Sequence, residues 1–240
     1  MGRKYYNAVF VCLFLLLVTV VNYFEGATNE VLNEAADETM DDAPKKIVYL
    51  TFDDGPSRLT PTVLDILKQY NINATFFMIG SQVQETDEKL IDRLLREGNK
   101  IGIHTYSHKY KCIYSNTDAF MEDFYKAREV IENACGEKVT LYRFPGGSCN
   151  SYAGCLKDEL INRLTKEGVK CVDWNVSGED SVGNPSAYCI YENVIKDVCD
   201  FDKPVILLHD SSINQNTVEA LPDIIEYILA KGYTFEVISE

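Results

Sequence analysis

At 240 residues, with 46% apolar side chains, the chain is long enough for one globular domain with its own core plus a short leader. Its formal net charge of −14 argues against nucleic acid as a partner, because phosphate recognition needs a basic surface. Acidity of this kind does not by itself select a substrate.

The amino terminus stands apart. Arg3 and Lys4 precede an uncharged run from Ala8 to Val21, flanked by Tyr5, Tyr6, Tyr23 and Phe24. Residues 1–24 therefore read as a signal peptide or as an uncleaved membrane anchor, and no small-x-small cleavage pattern settles which. Either reading places the rest of the chain outside the cytoplasm, secreted or held at the membrane. Residues 25–45 carry Glu30, Glu34, Asp37, Glu38, Asp41 and Asp42 before any basic residue, as a solvated, flexible linker would.

From residue 46 onward, apolar, β-branched or aromatic runs alternate with amphipathic stretches. Strands are predicted at Ile47–Phe52, Ala74–Ile79, Lys100–Ile103, Thr140–Phe144, Lys170–Trp174, Val205–Leu208 and Thr234–Ile238. Helical periodicity fills the gaps at Thr60–Tyr70, Asp87–Glu97, Thr117–Cys135, Leu156–Glu167, Ile190–Cys199 and Thr217–Lys231. This alternation predicts an α/β fold, a distorted (β/α) barrel of about seven parallel strands with outer helices, over residues 46–240. In such barrels the chemistry sits at the carboxyl ends of the strands.

The unusual polar residues fall just after these strands. The first ends in Asp53-Asp54-Gly55-Pro56, where a turn can bring two carboxylates to one cavity. The third ends in His104, with His108 four residues on, a spacing that lets both imidazoles meet on one face of a helical turn. The third and last histidine, His209, closes the sixth strand. The fourth runs into Arg143-Phe144-Pro145-Gly146-Gly147, in which the arginine can orient a carboxylate and the glycines let backbone N–H groups approach an oxyanion. Trp174 ends the fifth and reads equally as core or as cleft wall; Asp180, six residues later, can orient His209. Eight cysteines include Cys12 in the leader and seven beyond it, an odd number. Cys149 and Cys155 are a candidate local pair, and the absence of C-x-x-C spacing speaks against a structural zinc site.

Taken in order, Thr51-Phe52-Asp53-Asp54-Gly55-Pro56, His104-x-x-x-His108, Arg143-Phe144-Pro145-Gly146-Gly147, Trp174 with Asp180, and Leu207-Leu208-His209 resemble the five motifs of the polysaccharide deacetylase family, carbohydrate esterase family 4. The resemblance covers essentially residues 46–240. It implies that Asp54, His104 and His108 bind one divalent metal, zinc or else cobalt or another divalent ion. It implies that Asp53 is the general base, that Arg143 tethers it, and that His209 is the general acid, oriented by Asp180. Pro145, Gly146, Trp174 and Leu207 would contact substrate. The sequence departs from the commonest family pattern at Lys109, at Gly146, where an aromatic residue is frequent, and at Ser181, where a tryptophan is common. These departures bear on substrate preference and leave every ligand and acid/base group in place.

The expected activity is removal of N-acetyl groups from a polysaccharide, foremost the N-acetylglucosamine of peptidoglycan, by an enzyme whose partners are that polymer and, through residues 1–24 if uncleaved, the membrane. Chitin-oligosaccharide deacetylation, acetyl-xylan esterase activity and non-catalytic sugar binding are the competing readings.

Overall fold

The computed structural model describes residues 46–239; the expected leader and linker lie outside the described residues. Within them, eight strands and their helices follow one another as the alternation predicts. Strand β1 (Ile47–Gly55) is followed by helix α1 (Thr60–Gln69), β2 (Thr75–Met78), two short helices α2 (Gly80–Glu85) and α3 (Glu88–Arg96), and β3 (Lys100–Ile103). Next come α4 (Tyr110–Ile113), α5 (Thr117–Cys135), β4 (Leu141–Tyr142), α6 (Lys157–Lys166), β5 (Lys170–Cys171) and β6 (Val176–Ser177). The chain ends with α7 (Ala187–Val198), β7 (Val205–His209), α8 (Gln215–Ala230) and β8 (Thr234–Phe235).

The strands pair in parallel in the order β5-β4-β3-β2-β1-β7-β6, with β8 pairing the start of β1. Val48, Leu50 and Phe52 line one face of central β1, and Phe76, Phe77 and Met78 cover both faces of β2, all of them completely buried. Helices cover the outside with apolar stripes such as Val63, Leu64 and Leu67 on α1 and Phe120, Phe124 and Ile131 on α5. The long α5 starts where the Asn116 side chain accepts from the Ala119 N–H, and stops at Gly136, whose φ of 71° is the left-handed turn that ends a helix.

One strand departs from expectation, and its departure distorts the barrel. Lys170–Trp174 is predicted to be continuous, but pairing stops after Cys171 and resumes with a separate strand, Val176–Ser177, on β7. The reason lies in what competes for that backbone. The Arg143 guanidinium takes the carbonyls of Val172 (3.0 Å) and Asp173 (3.4 Å), while the Asp173 carboxylate accepts from the Ser148 N–H and hydroxyl. Side chains thus replace the ladder partners, and the seven expected strands become eight. β5 pairs with β4 and β6 with β7, so the ring stays unclosed between them.

Candidate active site

Four strand ends converge on one cleft. Asp53 and Asp54 come from the end of β1, His104 from β3, Arg143 from β4 and His209 from β7. The cleft has a volume of about 340 Å³, and Asp53, Asp54, His104, His108, Gly146, Trp174, Leu207 and His209 all line it. The structure therefore brings together every candidate metal ligand and both candidate proton carriers.

How adjacent carboxylates reach one cavity is visible in the backbone. The pairing register of β1 with β2 slips between Asp53 and Gly55, leaving Asp54 as the extra residue of a bulge with φ 69°. The bulge turns both side chains inward, so the strand continues through Gly55 instead of ending in the expected turn. Gly55 is required here, since a β-carbon would run into the Asp210 carboxyl. Asp210 is wholly buried; burial, ahead of the nearby Asp54 charge, pushes its carboxyl up to about 7 despite the hydrogen bond from Thr60. Its backbone N–H donates to the Asp53 carbonyl (3.2 Å), tying the ends of β1 and β7 together.

The histidine pair also meets by a route other than the helical turn its spacing predicts. His104 continues β3, donating its N–H to the Met78 carbonyl (2.8 Å). The chain then turns sharply, with Thr105 at φ 67° and His108 at φ 52°. Asp123 holds the turn by accepting from the N–H groups of Tyr106 (2.6 Å) and Ser107 (3.1 Å). Left-handed backbone at non-glycine residues costs energy and persists only where its surroundings enforce it. Here it folds His108 back until the two rings lie 5.0 Å apart.

One ligand atom from each of Asp54, His104 and His108 lies within 4.8 Å of the others. Asp54 Oδ1 is 3.2 Å from His108 Nε2 and 3.4 Å from His104 Nε2. The Nδ1 of His104 faces the Arg143 carbonyl at 2.9 Å. A carbonyl only accepts, so Nδ1 carries the proton and Nε2 presents its lone pair to the cleft. Burial, reinforced by the neighbouring His104 imidazole and opposed by Asp54 and Asp53, holds His108 below the usual imidazole range. Asp54 Oδ1 is itself buried without any hydrogen-bond partner. Lone pairs converging on a buried, unsatisfied carboxylate oxygen repel one another unless a cation lies between them. This donor set fits a divalent metal with three protein ligands.

Asp53 stands beside this triad, 2% exposed. Its Oδ1 accepts from Arg143 Nη1 at 2.8 Å, and its Oδ2 lies 3.8 Å from His104 Nε2, so it is turned toward the metal-type site. Arg143 is fully buried, and its Nη1 also reaches the Thr51 hydroxyl at 2.7 Å. Its guanidinium lies over the Phe77 ring at 4.1 Å. A charge buried this way needs its carboxylate partner, and the pair forms one rigid unit.

Across the cleft His209 pairs with Asp53 in register. Its Nδ1 lies 2.8 Å from Asp180 Oδ1, while its backbone N–H donates to Asp180 Oδ2 at 2.8 Å. The Thr217 hydroxyl donates to the same Oδ2 at 2.7 Å. Burial disfavours the imidazolium, but the Asp180 hydrogen bond and the charges of Asp180, Asp53 and Asp54 outweigh it and raise His209 to about 9. With Nδ1 occupied by Asp180, Nε2 is the nitrogen left to face substrate.

Pro145 is the exception among the expected substrate contacts. It is buried behind the cleft, its carbonyl accepting from the Tyr114 hydroxyl and the Asn150 amide, both at 3.0 Å, and so it shapes the loop. Ser181, singled out by the sequence, also lines the cleft, as do residues that the sequence does not single out, namely Tyr110, Ser177, Glu179 and Val182. Of these, Tyr110 carries the clearest missed signal, an aromatic side chain two residues past His108. The Cys149–Cys155 pairing does not form: all seven described cysteines are free, and Cys149 Sγ instead takes the Lys157 ammonium at 3.0 Å.

A parallel, unclosed barrel with a two-histidine, one-carboxylate site beside a tethered acid is the architecture of a metal-dependent hydrolase. The chain belongs to the polysaccharide deacetylase family, whose model matches residues 40–170. A peptidoglycan-N-acetylglucosamine deacetylase of Bacillus cereus is 33% identical over 216 residues, covering 87% of this chain and 75% of that protein. A bifunctional xylanase/deacetylase of Pseudobutyrivibrio xylanivorans is also 33% identical, across 90% of this chain but only 33% of its own. The crystal structure of the catalytic domain of peptidoglycan N-acetylglucosamine deacetylase from Eubacterium rectale superposes with a TM-score of 0.75 at 36% identity, covering 84% of this chain and 91% of that one.

Proposed function

We propose that this chain is a hydrolase that removes acetyl groups from the N-acetylglucosamine residues of peptidoglycan, acting outside the cytoplasm. The single observation that carries the reading is the buried, unsatisfied Asp54 Oδ1 facing two imidazole lone pairs, with the Arg143-held Asp53 alongside. Relatives that carry peptidoglycan in their names support the polymer. The basic, then apolar, residues 1–24 support the location.

Asp54, His104 and His108 would hold the metal, for which zinc suits two imidazoles and a carboxylate. When bound, such an ion supplies Lewis-acid polarisation of the acetyl carbonyl and acidifies the attacking water. Asp53 takes the proton from that water through Oδ2, because Arg143 occupies Oδ1. The guanidinium, itself locked by Thr51, Val172 and Phe77, keeps the acceptor oxygen aimed while the charge moves. The Gly146 N–H, which has no acceptor among the described residues, is available to the oxyanion. His209 delivers its Nε2 proton to the departing amine, and Asp180 stabilises the imidazolium and fixes its orientation. Leu207 and Trp174 form the walls near the acetyl group.

Acetate release measured on peptidoglycan, chitin oligomers and acetylated xylan tests the reading. Peptidoglycan is expected to give the highest kcat/KM; faster release from acetylated xylan would overturn the assignment in favour of an esterase.

A further inference from the structure

The cleft has an aromatic rim that none of the catalytic steps uses. Tyr110, on α4, lines the cleft immediately beyond His108, meeting that imidazole edge-on at 5.3 Å between centroids. Its phenol end lies against the open side of Gly146, where a β-carbon would come 3.2 Å from the Tyr110 hydroxyl and 3.3 Å from its ring. Gly146, at φ 74°, thus leaves room that a ring from another loop fills. The Tyr110 hydroxyl makes no hydrogen bond among the described residues, although it borders the cleft.

Two more tyrosines hold this ring in place. Tyr114 is buried, its hydroxyl donating to the Pro145 carbonyl (3.0 Å) and accepting from the Asn150 amide (3.1 Å). Tyr152 stacks over Tyr114 at 6.5 Å and meets Tyr110 at 5.3 Å, yet is 50% exposed. An exposed ring on a rigid, anchored cluster is costly to leave in water and loses little entropy when it binds. A ring face with a polar tip, at the rim of a cleft, suits a pyranose, whose C–H face is apolar and whose edge carries hydroxyls.

We propose that Tyr110 and Tyr152 form the sugar-binding wall of this cleft, Tyr110 packing on the reacting residue and offering its hydroxyl, and Tyr152 taking the next residue of the polymer. The inference rests on the proposed function and adds what holds the sugar. It assigns the selectivity of this enzyme to the segment after His108, supplying from there the side chain that position 146 lacks.

The test uses chitotetraose and its disaccharide with the metal-loaded, full-length protein. Tyr110→Ala is expected to raise KM for chitotetraose roughly three- to tenfold, with kcat within about twofold of wild type and metal content unchanged. Tyr110→Phe is expected to fall between the two. Tyr152→Ala is expected to raise KM more for the tetraose than for the disaccharide. A Tyr110→Ala enzyme with wild-type KM overturns the inference, and so does one whose loss lies in kcat together with lost metal, since the ring would then merely prop His108. Should Tyr110→Ala fail to fold, the tetraose-to-disaccharide ratio of Tyr152→Ala decides, an unchanged ratio counting against the wall. If wild type releases acetate from no acetylated polymer, the functional reading itself fails and the inference falls with it; acetate release with unchanged KM in both variants removes the inference alone.

Discussion

On one bank of the cleft, Asp54, His104 and His108 face one another from left-handed or buried backbone, with an oxygen and two nitrogens aimed at the same point. On the other, His209 and Asp180 satisfy each other, and Thr217 completes the carboxylate. The first bank is incomplete in hydrogen bonds and shaped to suit a cation; the second is a finished pair, the proposed proton-delivery unit. Electrostatics of opposite kinds follow. His108 is held below its ordinary range, as its proposed ligand role requires, whereas His209 is held above its own, as its proposed acid role requires. Two histidines in one cleft are thus driven apart by what surrounds each ring, which is how a single site runs ligand and acid chemistry together.

The sharpest break of this contrast acts on the incomplete bank. Chelation, or His104→Ala, is expected to drop acetate release to background, on the order of a thousandfold or more, with zinc or cobalt restoring the chelated wild type but not the variant. Asp53→Asn should lose turnover by a similar factor while retaining bound metal, as elemental analysis would show; a fully active Asp53→Asn would place the base elsewhere.

The finished bank breaks more softly. Asp180→Asn is expected to lower kcat roughly a hundredfold and to shift the alkaline limb of the pH–rate profile downward. The sign follows from His209: raised to about 9, it is protonated and able to donate below that pH, and activity is lost as pH rises through it. A cation at the Asp54 site pulls the limb toward neutrality, so wild-type activity should decline at or below about pH 9. A profile flat to pH 10, or one unmoved by Asp180→Asn, would remove His209 as the acid.

The smallest effect is expected from Thr217→Val, which leaves Asp180 Oδ2 with only the His209 N–H. A loss of roughly three- to tenfold in kcat, with unchanged metal affinity, would show that support of the finished bank is graded.

Some of this was legible in residue order. Asp53-Asp54, His104 with His108, Arg143 and Leu207-His209 each sit at the carboxyl end of an apolar run, and side chains at a strand's end share the face to which parallel strands point. The breaking of Lys170–Trp174 was not legible, because Arg143 and Ser148, distant in sequence, compete for its carbonyls and for Asp173. Nor was the wall formed by Tyr110. Its place follows from the turn at Thr105 and His108 and from the space beside Gly146, neither of which a residue pattern records.

By itself the sequence determined the strand–helix alternation, the parallel barrel, and the chemical kinds of side chain carried to its carboxyl end, since these depend on local periodicity and on what each residue type can donate, accept or ligate. Only the tertiary structure decided that a bulge at Asp54 turns two neighbouring carboxylates the same way, that His104 presents Nε2 because Arg143's carbonyl holds Nδ1, and where the barrel fails to close. Those outcomes depend on hydrogen bonds between segments tens of residues apart, and such partners exist only once the chain has folded.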